Sequence, residues 1–317
     1  MSDAVLAPSS WQEARERLAP RAVGATVLAL TTLELSLDGR QSASAGVVDA
    51  GGDLTTGAVV ATPDGDVVVT AGMAADWGVA VPDVVSVAVE GTFGRDVEGA
   101  RALGEGAYVV QDPDFVGAVS ARPALVHGFA VQGRHVVVVP RADVLVVAGS
   151  DDVPALLRAL AVVDEVVGQG EHLVSPLPRV AGEHGWEDHA WPDDPAVAGL
   201  AALVARRWNV AVFTWQQGLL ERFYRQQGQV LTLAPIELVA APDGRAVTYA
   251  PVTTALPCAV PPVDDLVFVG DDGDVTRAAW DAVHRHVPDL LQPFATIPQR
   301  WVLTRFPTAD ELAAVRA

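Results

Sequence analysis

Residues 135–168 read HVVVVPRADVLVVAGSDDVPALLRALAVVDEVVG, two apolar runs followed by an amphipathic pattern. The runs 135–139 and 144–147 lack the alternation of polar and apolar residues, which is typical of strands buried on both faces. Asp152 is then placed to cap a helix in which apolar residues recur at intervals of three to four. The stretch therefore predicts two buried strands and a helix that stops at Gly168.

Shorter patterns surround this stretch. Residues 33–37 alternate between apolar and polar side chains and residues 84–89 form an apolar run, so both predict strands. Residues 57–62 and 66–70 flank a Pro-Asp-Gly turn and predict a hairpin. These patterns make the N-terminal part of the chain rich in predicted strands.

The sequence as a whole predicts an α+β fold, in which this β-rich part is followed by two similar helix-strand-strand-helix units. Helical patterns cover residues 195–227 and 275–286 in the second unit. The predicted boundaries are 1–100 for the β-rich part, 101–180 for the first unit, 181–194 for a linker or long loop, and 195–317 for the second unit.

An internal duplication is suggested by two segments. Residues 139–151 read VPRADVLVVAGSD and residues 260–272 read VPPVDDLVFVGDD, so both give Val-Pro-x-x-Asp, a strand, and a Gly-acidic end. Two interpretations of Asp143 and Asp264 stay open. Each carboxylate can accept hydrogen bonds from backbone N–H groups at a turn, or the two can face a shared cleft.

The composition limits the compartment and the partners. The net charge is −19, from 40 acidic and 21 basic residues, and a surface this negative repels nucleic acid. All basic residues are arginine, a bias typical of GC-rich genomes such as those of actinobacteria. The single cysteine, Cys258, excludes an intrachain disulfide and favours a reducing cytosol. No signal peptide is expected, because residues 1–8 have neither a basic nor an apolar region. No membrane span is expected, because residues 196–213, the best candidate, contain Arg206 and Arg207.

Potential metal ligands are densest around residues 183–191, which read EHGWEDHAW. Glu183, His184 and His189 are residue types that bind divalent ions, although their spacing matches no established ligand motif. The other interpretation is a solvated acidic loop whose tryptophans, Trp186 and Trp191, dock on the surface. His127, His135 and His172 are isolated in the sequence.

Several catalytic classes are excluded or unsupported. The chain has no Gly-x-Ser-x-Gly motif, which argues against a serine hydrolase of that type. The absence of lysine excludes Walker-type phosphate binding and Schiff-base chemistry. Gly104-Glu105-Gly106 lacks the third glycine of a dinucleotide-binding loop and does not lead from a strand into a helix. No cofactor is therefore expected.

Residues 119–182 resemble the C-terminal part of the YtpQ-like bacterial family of unknown function. The resemblance rests on an apolar strand that leads into Val139-Pro140-Arg141-Ala142-Asp143-Val144-Leu145, then on a helix and the segment Val174-Ser175-Pro176. It implies a cytosolic α+β protein. It implies no reaction, because the family has no catalytic residues to carry over.

These patterns favour a non-catalytic cytosolic protein that binds another protein or a small ligand, with an undetermined oligomeric state. An exposed patch around Trp186 and Trp191 would support that function. The alternative is a hydrolase or metal-dependent enzyme. It would gather carboxylates and histidines in one concave pocket, and its candidate residues are Asp143, Asp264, Glu183, His184 and His189.

Overall fold

The fold combines helices with mostly antiparallel sheets. The structure, a computed structural model, describes residues 8–39, 45–93, 99–171, 173–182, 185–242 and 244–316. Helices make up 38% of it and strands 33%. The predicted α+β class is therefore confirmed, and the internal duplication stays a prediction.

The chain divides into two compact units. The first takes the described residues of Met1–Leu28 and Arg40–Val204, and the second those of Ala29–Gly39 and Ala205–Ala317. Two helices, α2 (Ala25–Leu37) and α7 (Pro195–Gln226), each contribute residues to both units.

The first unit contains two antiparallel sheets. Its other elements are α1 (Trp11–Arg15), β1 (Leu18–Gly24), β2 (Val47–Gly51), β3 (Leu54–Thr62), β4 (Gly65–Val68), α3 (Ala71–Asp76), α4 (Val81–Glu90), β5 (Arg101–Gly104), β6 (Ala107–Val110), α5 (Pro113–Ala121), a 3-10 helix (Pro123–Gly128), β7 (His135–Arg141), β8 (Val144–Gly149), α6 (Val153–Gln169), β9 (Leu173–Gly182) and β10 (Gly185–Asp188). One sheet has the order β1-β3-β2, with β4 paired to β3, and the other has the order β10-β9-β7-β8-β6-β5.

The stretch that decides this unit forms the elements that its sequence predicts. Strands β7 and β8 are the central antiparallel pair of the larger sheet, and every side chain of β8 is buried. Asp152 caps α6, because its side chain accepts a hydrogen bond of 2.9 Å from the backbone N–H of Ala155. The helix ends at Gly170, whose φ of 72° is left-handed, slightly beyond the predicted Gly168.

Four local predictions are wrong. Residues 33–37 lie in α2 and residues 84–89 lie in α4 instead of in strands. The short alternation in α2 is outweighed by apolar residues on all sides of the helix, while in α4 the buried positions Val84, Val85, Ala88 and Val89 follow a helical period. The expected loop 181–194 contains β10. The expected helix 275–286 is a strand up to residue 279, because this segment pairs with the apolar strand β15.

The second unit contains two smaller sheets. Its other elements are β11 (Thr232–Leu233), β12 (Glu237–Ala240), β13 (Ala246–Val252), β14 (Cys258–Val260), β15 (Asp265–Val269), β16 (Val275–Ala279), α8 (Trp280–His286), β17 (Gln292–Phe294), β18 (Arg300–Leu303) and α9 (Ala309–Val315). The orders are β11-β14-β18-β17 and β12-β13-β15-β16, with parallel pairing between β11 and β14 and between β13 and β15. The capping box of Thr308 and Glu311 is present at the start of α9.

Helix α7 runs unbroken for 32 residues. By length and composition it could cross a membrane, and 22% of its most apolar window is buried. Core helices of soluble proteins have the same composition, and α7 carries Arg206 and Arg207 in that apolar half. The expectation that the chain has no membrane span therefore stays a prediction.

The two similar segments make different connections. In residues 139–151 the Val-Pro-x-x-Asp sequence joins β7 to β8, which are neighbours in one sheet. In residues 260–272 it joins β14 to β15, which belong to different sheets. Similar sequence thus serves a hairpin in one place and a change of sheet in the other.

A buried arginine lies in the core of the second unit. Arg300 has no solvent exposure, and its guanidinium donates to side-chain and backbone oxygens. The acceptors are Gln216 Oε1 at 2.7 Å and the carbonyl oxygens of Ala234 at 3.0 Å, Ala259 at 3.3 Å and Phe213 at 3.0 Å. These bonds join α7, β14, β18 and the residue after β11. Burial lowers the pKa of Arg300 to about 10, so the group stays protonated at neutral pH.

Cys258 lies in the same core. Its side chain is 1% exposed, and it packs among apolar residues of β13, β15 and β18. Burial raises the pKa of the Cys258 thiol, although a backbone hydrogen bond from Ala234 and the charge of Arg300 act in the opposite direction. The thiol is therefore protonated and shielded in the folded protein.

The first unit has its own buried arginine. Arg179 on β9 is 2% exposed and forms an ion pair with Asp53 in the turn between β2 and β3. Ser175 on β9 donates to the other oxygen of the same carboxylate at 2.6 Å. Burial lowers the pKa of Arg179, and the nearby Asp188 carboxylate partly offsets that effect. This cluster joins the two sheets of the unit.

Gly117 in α5 allows the helix to lie directly on β1. A Cβ atom added there would lie 2.3 Å from the carbonyl oxygen of Pro20. We expect Gly117→Ala to lower the free energy of unfolding by about 1–3 kcal/mol, because helix and strand must separate. Chemical denaturation measures the change.

Gly199 provides the matched control for that substitution. It is also helical and belongs to the same unit, but a Cβ atom there would meet nothing within 4 Å. Gly199→Ala should raise the free energy of unfolding by about 0.5–1 kcal/mol. Equal effects of the two substitutions would contradict the close approach of α5 to β1.

Candidate functional site

Asp143 lies in the hairpin between β7 and β8. Its carboxylate accepts hydrogen bonds from Arg141 Nε at 2.5 Å and from Arg141 Nη2 at 3.2 Å. The same guanidinium donates to Gln169 at the end of α6 at 3.2 Å. The side chain of Asp143 is 44% exposed, so this is a surface ion pair across a turn.

Asp264 has a fuller set of partners at the start of β15. It accepts from Nε and Nη2 of Arg206 at 2.8 Å each, and from the backbone N–H and hydroxyl of Thr248 at 2.7 and 2.8 Å. Partial burial raises the pKa of Asp264, but the hydrogen bonds and charge of these two partners outweigh it and lower the pKa to about 2. The carboxylate is therefore held ionised between α7 and β13.

The two carboxylates have different partners, and both interpretations of them stay predictions. Asp143 and Asp264 belong to different units, and each is bonded to its own arginine. Asp143 bonds within its own hairpin, whereas Asp264 links α7 to β13.

Trp186 is not part of an exposed patch. Its side chain is 7% exposed, packs in the core of the first unit, and donates from Nε1 to the carbonyl oxygen of Ser120 at 2.9 Å. The binding role expected for it at the surface is corrected, because pairing of β10 with β9 turns this tryptophan inward. Trp191 is partly exposed, beyond the end of β10.

The structure describes only one of the three predicted metal ligands. Glu183 and His184 lie outside the described residues. His189 follows β10 and its backbone N–H donates to the carbonyl of Pro178 at 3.1 Å. Burial lowers the pKa of His189, and the charge of Arg134 lowers it further. In the described part of the chain, no group of three or more His, Cys, Asp or Glu side chains could hold a metal ion.

A polar cleft opens at the start of α6. Its volume is about 510 Å³, and it is lined by Glu105, Gln132, Asp151, Asp152, Val153, Pro154 and Arg158. Three connections meet there: the turn between β5 and β6, the loop before β7, and the loop between β8 and α6. All belong to the first unit, and the rigid six-stranded sheet positions them.

Two glycines make the close meeting of these loops possible. Gly106 has a φ of +69°, and a Cβ atom there would lie 2.6 Å from Oδ2 of Asp152. Gly133 has a φ of +80°, and its Cβ atom would lie 2.4 Å from Oγ of Ser150. Other residues would strain the backbone and push the loops apart.

Hydrogen bonds to neighbouring residues hold the polar side chains of the cleft in place. Asp152 caps α6, Asp151 accepts a hydrogen bond of 2.7 Å from Ser150, and Arg158 donates to the carbonyl oxygen of Glu105. The lining contains three carboxylates and one guanidinium, so it is acidic. It offers oxygen acceptors to a ligand that carries N–H or O–H donors.

The sequence contains a signal for this cleft that its motifs did not reveal. Gly104-Glu105-Gly106 does not match a dinucleotide-binding loop, and Gly149-Ser150-Asp151 precedes a helix cap. Each is an ordinary turn on its own. Only the antiparallel pairing of β6 with β8 brings the two turns to the same end of the sheet.

Comparison of the chain with family models, curated proteins and solved structures finds no match. The resemblance of residues 119–182 to the YtpQ-like family stays a prediction.

The hydrogen bonds of Asp264 predict a pH-dependent contribution to stability. At pH 7 we expect Asp264→Asn to lower the free energy of unfolding by about 1.5 kcal/mol, because a charged acceptor bonded to Arg206 is lost. The pKa of Asp264 is lowered from 3.8 to about 2 by folding. The contribution is therefore fully present above about pH 4 and disappears as the pH falls toward 2.

Asp143→Asn is the control, because Asp143 has a single exposed ion pair. Its effect should stay below about 1 kcal/mol at pH 7. Urea unfolding followed by tryptophan fluorescence between pH 7 and pH 2 measures both variants. An Asp264→Asn effect that did not shrink at low pH would contradict the role given to the ionised carboxylate.

Proposed function

We propose that the protein is a non-catalytic cytosolic binding protein and that a small polar ligand occupies the cleft at the start of α6. The cleft itself carries the proposal. It is a concavity of about 510 Å³ whose polar side chains come from three connections. Ligand sites of small molecules typically have volumes of a few hundred cubic ångströms and a few oriented polar groups.

The charge of the lining narrows the class of ligand. Glu105, Asp151 and Asp152 outnumber Arg158, and the chain carries a net charge of −19. Such a field concentrates cations and repels anions. We therefore propose a ligand with at least one protonated amino group. Its N–H groups would donate hydrogen bonds to the exposed carboxylates of Glu105 and Asp151. The same negative charge argues against nucleic acid as a partner.

The competing enzyme function receives no specific support from its candidate residues. Asp143 and Asp264 are each bonded to an arginine, and His189 lies beside Arg134. The cleft lining offers carboxylates, an amide and a guanidinium, and the hydroxyl bonded to one of its carboxylates, that of Ser150, also accepts from the backbone N–H of Arg134 and has no histidine beside it in the lining. Binding is the function that these groups serve best.

The cleft predicts selective binding of small cations. In calorimetric titrations at low salt we expect the protein to bind spermidine or L-arginine but not citrate. Glu105→Gln combined with Asp151→Asn should weaken binding of the cation more than about tenfold, because charged hydrogen bonds are lost at constant volume.

The control variant Glu171→Gln with Asp310→Asn removes the same number of negative charges from exposed residues that do not line the cleft. It should bind the cation as the native protein does. Equal loss in both variants would show that only the overall charge attracts the cation. Absence of binding by the native protein to either cation would contradict an amine ligand.

A further inference from the structure

Two histidines that are separate in the sequence meet in the first unit. His127 is on the 3-10 helix and His135 is the first residue of β7, and their ring centres are 5.3 Å apart with planes inclined at 56°. His127 is exposed and His135 is half-buried. The pair is therefore open to solvent on one side and supported by the fold on the other.

A hydrogen bond determines which nitrogen of His135 is free. Nε2 lies 2.9 Å from the carbonyl oxygen of Phe129, and because a carbonyl only accepts, Nε2 carries the proton. Nδ1 then has a free lone pair in the neutral ring. Histidines that bind metals usually donate their other N–H to a carbonyl or carboxylate in this way, which fixes the ring and raises its basicity.

The carbonyl that orients His135 is itself held in place. The Phe129 ring packs between those of Tyr108 at 5.1 Å and Phe115 at 6.4 Å, measured between ring centres. Its backbone N–H donates to the carbonyl of Val126 at 3.1 Å. Aromatic packing and the end of the 3-10 helix thus preorganise the acceptor behind the imidazole.

The separation of the rings matches that of two ligands of one ion. Metal–nitrogen bonds of about 2.0–2.1 Å, with roughly 1.1 Å more to each ring centre, place two imidazoles on a tetrahedral ion about 5.2 Å apart. The observed distance is 5.3 Å. Aromatic rings in ordinary contact also lie about 4.5–7 Å apart, so the distance permits a shared ion, and the oriented, half-buried imidazole of His135 is the feature that favours one.

We propose that His127 and His135 form a binding site for one borderline transition-metal ion, such as Zn²⁺. Imidazole suits Zn²⁺, Cu²⁺ and Ni²⁺, and water would complete the coordination, since no third histidine, cysteine or carboxylate joins the pair among the described residues. The neighbouring cation Arg134 is engaged with Glu187 at 3.1 Å. This site uses none of the residues that line the cleft.

Metal titration tests the proposal. Tag-free protein, treated with a chelator and dialysed, is titrated with Zn²⁺ in competition with a chromophoric chelator, and Co²⁺ spectra then report the coordination. We expect one equivalent to bind, and His127→Ala or His135→Ala to weaken that binding at least about tenfold. The change in the Co²⁺ spectrum on binding should be lost in the same two variants.

His286→Ala is the matched control, because His286 is also exposed but belongs to the second unit. It should bind Zn²⁺ as tightly as the native protein. If His135→Ala fails to fold, the exposed His127→Ala variant decides the result alone. Binding by His127→Ala within twofold of the native value, or no stoichiometric binding by the native protein, overturns the proposal.

Discussion

A buried guanidinium must find an acceptor for its N–H groups, and the second unit is arranged around that requirement. Arg300 takes its acceptors from α7, β14 and the residue after β11, so these elements keep one relative position. Most of them are backbone carbonyls, whose positions depend on the fold and not on a side-chain rotamer. In the first unit the buried Arg179 forms an ion pair with the carboxylate of Asp53. Removing either arginine would leave buried acceptors without donors.

The larger sheet of the first unit serves as the scaffold for both proposed sites. Its central strands β7 and β8 are buried on both faces, and the polar residues of both proposed sites lie in or beside the connections of the sheet. The cleft uses the turns around β6, β8 and α6, whereas the histidine pair uses the entry to β7. A rigid sheet with variable connections allows one unit to carry two kinds of binding chemistry.

The sequence predicts the sheet much better than it predicts the sites. The uninterrupted apolar runs of β7 and β8 and the helix cap at Asp152 are local signals, and the structure follows them. Residues 33–37 and 84–89 predict strands but form helices, because a pattern of five or six residues fits the period of a strand as well as that of a helix. The pairing of His127 with His135 depends on a 3-10 helix and on the carbonyl of Phe129, so it has no signature in the spacing. Trp186 lies among acidic residues in the sequence, yet the pairing of β10 with β9 directs it inward.

The burial of Cys258 has a practical consequence for studies of folding. The chain has a single thiol, which is 1% exposed beside Arg300. A thiol in that position reacts with an alkylating reagent only when the core around it opens. The rate of labelling therefore reports opening of the second unit alone, without an added probe, while the first unit is silent to the same reagent.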